Sequence, residues 1–412
     1  MNCPECGVKL VGNEVVCPKC LTRLPQRTYG PELAAEQVPD AHYEESPVAV
    51  RPWAERLSDF YRQVRLVLLV VLALVALGVA VLVWRTFFQH DAGYYFAQGE
   101  ELYQNGHYVS ALDPYKRTIE LDPGLAAVAY NRLGWCYYRL ADDEQAISNF
   151  RRAIELNGEL AEAYLGLGRS YYYLRNYPEA EANLRQAIEL NPQSAEAYGY
   201  LGSVYYWQAK YEEAVAQLQK AVELNSIDAD SHEFLGRSLY LLGRPEEAIV
   251  YLQKAHELEP DDPNCQEYLA LAHYEAGRYD QAISHFSEIL NRKPDDPRLH
   301  AYLGQCFYQI GEYDQAVSQL NQALELSYAA GMVGDFYRYL GWSHYQLAHY
   351  DEALSFFHKA AAITPRESDV YNGLGWCYYQ LGQCDAAIPV FQQALEIEPG
   401  LEEAQKGLAA CQ

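Results

Sequence analysis

The sequence predicts an all-α chain: a solenoid of about nine helical pairs, preceded by one membrane-spanning helix and a small metal-stapled β-hairpin head. Three observations carry this. From residue 92 the sequence is self-similar every 34 residues. Leu66 to Trp84 is a run of 19 residues with no charge and no proline. The first 20 residues hold two CxxC pairs, Cys3 with Cys6 and Cys17 with Cys20.

The head comes first in the chain. Ten residues separate its two cysteine pairs. Four thiolates from two tight turns can surround a tetrahedral zinc ion at about 2.3 Å. Val8 to Val11 and Glu14 to Val16 are strand-like, and Gly12-Asn13 between them is a two-residue turn. Gly7 permits the backbone reversal that a metal knuckle needs. Residues 1–24 thus resemble the short zinc-ribbon heads of many bacterial membrane proteins. The resemblance implies a structural Zn2+ held by Cys3, Cys6, Cys17 and Cys20, with no coordination position left for catalysis. So short a domain cannot bury a core, so the metal supplies most of its folding energy. The alternative is a redox dithiol or a disulfide pair, but the thioredoxin-like βαβ pattern that would accompany it is absent. Residues 25–52 contain Pro25, Pro31, Pro39, Pro47 and Pro52 among scattered acids, without apolar period, and read as a disordered tether.

The apolar run, residues 66–84, is long enough to cross a bilayer: about 28 Å at 1.5 Å per residue, against a hydrocarbon core of about 30 Å. A soluble core helix would carry a polar stripe, and this one has none. Residues 53–65, WAERLSDFYRQVR, read as a juxtamembrane segment lying partly in the headgroups. Arg51, Arg56, Arg62 and Arg65 precede the span, whereas only Arg85 follows it closely. The positive-inside rule then places the N-terminus in the cytoplasm and everything after the span outside, periplasmic where there are two membranes. The predicted protein is a single-pass cell-membrane protein, bacterial by the resemblance of its head.

In the array, glycine recurs at Gly99, Gly134, Gly168, Gly202, Gly236, Gly304, Gly341 and Gly375, with Ala270 taking the slot once. Alanine follows twelve positions later, at Ala111, Ala146, Ala180, Ala214, Ala248, Ala282, Ala316, Ala353 and Ala387. Small residues in these slots let two antiparallel helices approach closely. Pro123, Pro192, Pro260, Pro294, Pro365 and Pro399 close most units. Gly106, Gly243, Gly277, Gly311 and Gly382 fall at the turn between the helices. These residues resemble the tetratricopeptide repeat (TPR), and the resemblance covers nearly everything after the span. It implies a right-handed superhelix with a concave face lined by the first helix of each unit. Nine units begin at residues 92, 127, 161, 195, 229, 263, 297, 334 and 368 and fill residues 92–401, with residues 402–412 as a capping helix. One extra residue sits near Ala126, and Gly331-Met332-Val333 separate the seventh and eighth units.

Function is expected on that concave face. The net charge is −25, of which residues 92–412 carry −24. Such an array repels phosphate backbones, so no nucleic acid is expected on it, and basic or neutral partners are favoured. Numbering slots from each unit's start, slots two, nine and thirteen project toward the groove, and slot twelve lies at its edge. Slot twelve is tyrosine throughout: Tyr103, Tyr138, Tyr172, Tyr206, Tyr240, Tyr274, Tyr308, Tyr345 and Tyr379. Such a tyrosine can pack between neighbouring helices and still leave its oxygen wet. Trp135, Trp207, Trp342 and Trp376 occupy slots nine or thirteen, as partner anchors or packed against neighbouring groove side chains. Acids at slot two, Glu162, Glu196, Asp230, Asp335 and Asp369, line the same face, which suits an extended basic or proline-containing segment. Slots two and five hold no lysine, so the clamp that some family members use for chaperone C-termini is missing.

No HExxH, GxSxG, Walker loop or dinucleotide fingerprint occurs, and His273 and His344 in slot eleven read as core replacements, so no enzyme is expected. The sequence therefore predicts a membrane-anchored scaffold or adaptor that binds proteins or peptides in its groove for assembly of cell-envelope machinery. The alternative is a transmembrane sensor relaying partner binding to the cytoplasmic ribbon. Cys136, Cys306 and Cys377 share slot ten and read as buried hydrophobes, while Cys377 and Cys384 are candidates for pairing.

Overall fold

The computed structural model describes residues 53–87, 91–326 and 333–412. The cysteine-rich head, its hairpin and the proline-rich tether lie outside the described residues. The chain divides into two compact units, residues 1–170 and 171–412. Among the described residues every regular element is helical and none is a strand.

The first unit opens with α1 (Trp53–Phe87), a helix of 35 residues. The sequence separates a juxtamembrane segment from the span, but the helix runs unbroken through both. No proline interrupts residues 53–87, so each backbone N–H keeps its carbonyl partner one turn back. Within α1, Val64–Val81 is long and apolar enough to cross a membrane and is exposed among the described residues. After it come α2 (Ala92–Gln104), α3 (Tyr108–Leu121), α4 (Ala126–Arg139), α5 (Asp143–Leu156) and the start of α6 (Ala161–Tyr173). The extra residue near Ala126 is absorbed by a short 3-10 turn, Pro123–Leu125, between α3 and α4.

The second unit holds the end of α6, then α7 (Tyr177–Leu190), α8 (Ala195–Trp207), α9 (Tyr211–Leu224), α10 (Ala229–Leu241), α11 (Pro245–Leu258) and α12 (Pro263–Glu275). There follow α13 (Tyr279–Arg292), α14 (Pro297–Gln309), α15 (Tyr313–Leu326), α16 (Val333–Gln346), α17 (Tyr350–Ile363), α18 (Ser368–Gln380), α19 (Cys384–Ile397) and α20 (Glu402–Ala410). In both units the first helix of a pair packs on the second, and the second packs on the first helix of the next pair.

Local chemistry sets the helix ends. Aspartate or serine before a first helix accepts a hydrogen bond from a free backbone N–H of its first turn: Ser194 from Ala197 at 3.2 Å, Asp228 from Ser231 at 3.2 Å, Asp296 from Arg298 at 2.9 Å. The turn between paired helices needs one left-handed residue. Gly243 (φ 71°) supplies it without steric cost, whereas Ala141, Arg175, Ala209 and Ala348 adopt it with φ between 55° and 61°, a strained conformation for a residue with a Cβ.

The core follows the slots. All nine slot-twenty alanines are fully buried. The slot-eight glycines face a bulky residue of the second helix: a Cβ on Gly134 would lie 2.6 Å from the Phe150 ring, and one on Gly341 would lie 2.7 Å from the Phe357 ring. Phe150, Phe286, Phe357 and Phe391 are completely enclosed, each contributing roughly 2–3 kcal/mol by burial.

Candidate partner-binding face

The slot-twelve tyrosines form a ladder along the first helices. Where slot six of the next unit is aromatic the two rings meet edge-on: Tyr172 with Tyr200, Tyr206 with Phe234, Tyr240 with Tyr268 and Tyr308 with Tyr339, at centroid separations of 5.2 to 5.6 Å. Hydroxyls reach outward from these packed rings. Tyr138 accepts from Arg169 at 3.0 Å, Tyr345 from Gln380 at 3.3 Å, and Tyr172 from the Trp207 indole N–H at 3.2 Å.

The tryptophans separate into two kinds. Trp135 is only 7% exposed, lies edge-on to Phe150 at 5.3 Å and is roofed by the Arg169 guanidinium at 5.2 Å. Trp342 sits on Phe357 at 5.2 Å and donates to Asp369 at 2.8 Å, and Trp376 sits on Phe391 at 5.6 Å beside Tyr379. These three rings are largely packed against the chain itself. Trp207 is 50% exposed, and Tyr172, Tyr206 and Phe234 touch it along one side.

The slot-two acids also separate. Glu162 receives Arg132 and Asn131, and Arg132 bridges on to Glu100 at 2.7 Å. Asp335 and Asp369 share Arg338 at 3.1 and 3.3 Å. Glu196 and Asp230 both line a cavity of about 460 Å³ between α8, α10 and the end of α6. Its walls include Tyr172, Tyr173, Tyr200, Phe234, Gly199, Ser203 and Asp228. Partial desolvation, then the carboxylates of Asp228, Glu259 and Asp262, hold Asp230 above the usual carboxylate range. The structure thus gathers Tyr172, Glu196 and Asp230 around one opening, with Trp207 beside it on the Tyr172 hydroxyl. Trp342, Tyr345, Trp376 and Tyr379 form a separate group near the C-terminus, and Trp135, Tyr138 and Glu162 belong to the first unit.

Sequence reading missed the slot-six aromatics Tyr200 and Phe234 and the arginines Arg132, Arg169, Arg237 and Arg338. The signal was present as cations at slots five, six and nine of first helices.

The predicted ligands Cys3, Cys6, Cys17 and Cys20 lie outside the described residues. Among the described residues no cluster of three or more His, Cys, Asp or Glu is arranged to hold a metal ion. Cys136, Cys306 and Cys377 are fully buried, and desolvation pushes each thiol up to about 12. The neighbour of Cys384 is Cys411 of the chain end: burial and the Cys384 thiol together push Cys411 up to about 11. His273 is buried as expected and lies parallel to His285, whereas His344 is half-buried and lies parallel to Phe356.

Fold and face define the class as a helical-repeat protein. Two family models match the chain: residues 85–273 match the cilia and flagella-associated protein 70 C-terminal domain, and residues 273–327 and 345–411 match the tetratricopeptide repeat. The chain carries repeats of the tetratricopeptide type, a helical scaffold for protein–protein interaction. Similar solved structures include yeast Tom70 (14% identity, 78% of this chain and 94% of that one, TM-score 0.36). They also include the APC/C hetero-tetramer Cut9-Hcn1 (16% identity, 78% and 76% covered, TM-score 0.43) and MamA (26% identity, 42% and 93% covered, TM-score 0.38). A search of the curated proteins found no match.

Proposed function

We propose that this protein is a membrane-anchored scaffold that holds partner proteins on its first-helix face for assembly of cell-envelope machinery. The observation that carries it is the half-exposed Trp207 beside the acid-lined cavity: a large apolar ring left open to water is stabilised when a partner covers it. The apolar stretch of α1, with the arginines ahead of it, supports anchoring with the N-terminus in the cytoplasm and the array outside. The spacing of Cys3, Cys6, Cys17 and Cys20 supports a structural zinc ribbon on the cytoplasmic side.

A photo-reactive phenylalanine analogue placed at Trp207 of the full chain in its native membrane tests the scaffold. Adducts with another protein are expected there and not from Val250 on the second-helix face, which is 61% exposed. Equal yields at the two positions would sink the reading. Sidedness is read with Ile227→Cys, a position 74% exposed. A thiol reagent that cannot cross the inner membrane is expected to label it in intact cells. The purified chain is expected to carry stoichiometric zinc, released by Cys6→Ser and Cys17→Ser together. Full metal retention in that variant would exclude the ribbon.

A further inference from the structure

We propose that the cavity between α8, α10 and the end of α6 is a seat for an arginine side chain presented by the partner, an inference that rests on the scaffold reading above. The repeat itself supplies the template. One unit further along, Arg237 of α10 lies in slot nine with its guanidinium 4.7 Å from the Tyr206 ring, 4.6 Å from Tyr268 and 5.3 Å from Phe234. It donates to the Tyr206 hydroxyl at 2.7 and 3.2 Å and pairs with Glu233 at 2.9 Å. In the first unit Arg169, also in slot nine, lies 4.8 Å over Tyr138 and donates to its hydroxyl at 3.0 Å. The array therefore uses a recurrent arrangement in which a flat cation stacks on the tyrosine of the preceding unit.

Moving the Arg237 arrangement back by one 34-residue period gives Tyr172 for Tyr206, Phe234 for Tyr268 and Tyr200 for Phe234. The aromatic walls are kept. The ion pair is not: Ser203 stands for Arg237 and Gly199 for Glu233. Both small residues line the cavity, so the space opens where the chain's own guanidinium would lie. The Ser203 hydroxyl is committed to the Gly199 carbonyl at 3.0 Å. Negative charge remains at the rim. Asp228 spends one carboxylate oxygen on the Ser231 N–H at 3.2 Å. Asp230 has no ion-pair partner among the described residues, and its charged neighbours are acids. Aromatic faces with an unneutralised carboxylate suit a planar, weakly hydrated cation. Charge complementarity with the acidic array selects the same kind of partner.

The test uses the full chain in detergent and two short fluorescent glycine–serine peptides, one with a central arginine and one with citrulline. Citrulline keeps the shape and loses the charge. The arginine peptide is expected to bind about tenfold or more tighter, the ratio that a stacked, paired cation supplies. Asp230→Asn is expected to shrink that ratio. Ser203→Arg, which restores the residue found in two other units, is expected to fill the seat from within and abolish the preference, with melting temperature as the check on folding. Equal binding of the two peptides, or an arginine preference that survives Ser203→Arg, would overturn the seat. The scaffold is judged separately: adducts from position 207 that persist while both peptides bind alike remove the seat and leave the scaffold standing.

Discussion

Gly341 on α16 faces the ring of Phe357 so closely that even a methyl group must displace it. Gly341→Ala is therefore expected to lower unfolding stability by about 1–3 kcal/mol in urea titration, and Phe357→Leu in the same chain to recover part of that loss. The recurrence of glycine made this contact legible in the sequence. Other residues were not legible in the same way. Trp135 sits in a slot that points outward on a single-helix wheel, yet Arg169 from the next first helix closes over it. Glu162, Asp335 and Asp369 look like free groove acids until Arg132 and Arg338 are placed beside them. A wheel sorts one helix, whereas neutralisation and roofing happen between helices.

Among the elements, α12 and α13 carry the clearest pH response. His273 on α12 is 2% exposed and lies against His285 on α13, which in turn meets His256 of α11. Burial first, then His285 and Arg278, lower His273 to about 4, and burial also lowers His285. A folded-state pKa below the unfolded value of roughly 6.5 means that the unfolded chain takes up protons first as the pH falls. Stability is then complete above pH ~6.5 and declines toward pH ~4, by on the order of 3 kcal/mol for His273. Melting followed from pH 7 to pH 4.5 is expected to show this decline, and His273→Phe, the kind of residue other units place in slot eleven, to flatten it. An unchanged acid limb in that variant would refute the assignment. The helical pairs themselves were readable from the 34-residue period. The continuity of α1 was not, because a change from charged to apolar composition marks a change of solvent and leaves the backbone hydrogen bonding untouched.

For the whole molecule, repeats stabilise one another through their shared faces, so an end must be closed. α20 does this at the C-terminus: Ala404 is fully buried, and Leu408 and Cys411 pack on the cluster that contains Phe391 and Cys377. Deleting residues 402–412 is expected to speed amide hydrogen exchange in α18 and α19 before the remaining helices respond. Uniform exchange across the second unit would show that the cap acts otherwise. The alanine and glycine slots announced this architecture, but they did not distinguish one first helix from the next. That distinction lies in slot nine, filled by arginine in α6 and α10 and by serine in α8. A strictly periodic track offers a bound strand equivalent positions at every step, and nothing prevents it from slipping by one period. A single unlike position lifts that degeneracy and gives the track an origin from which every other contact is counted.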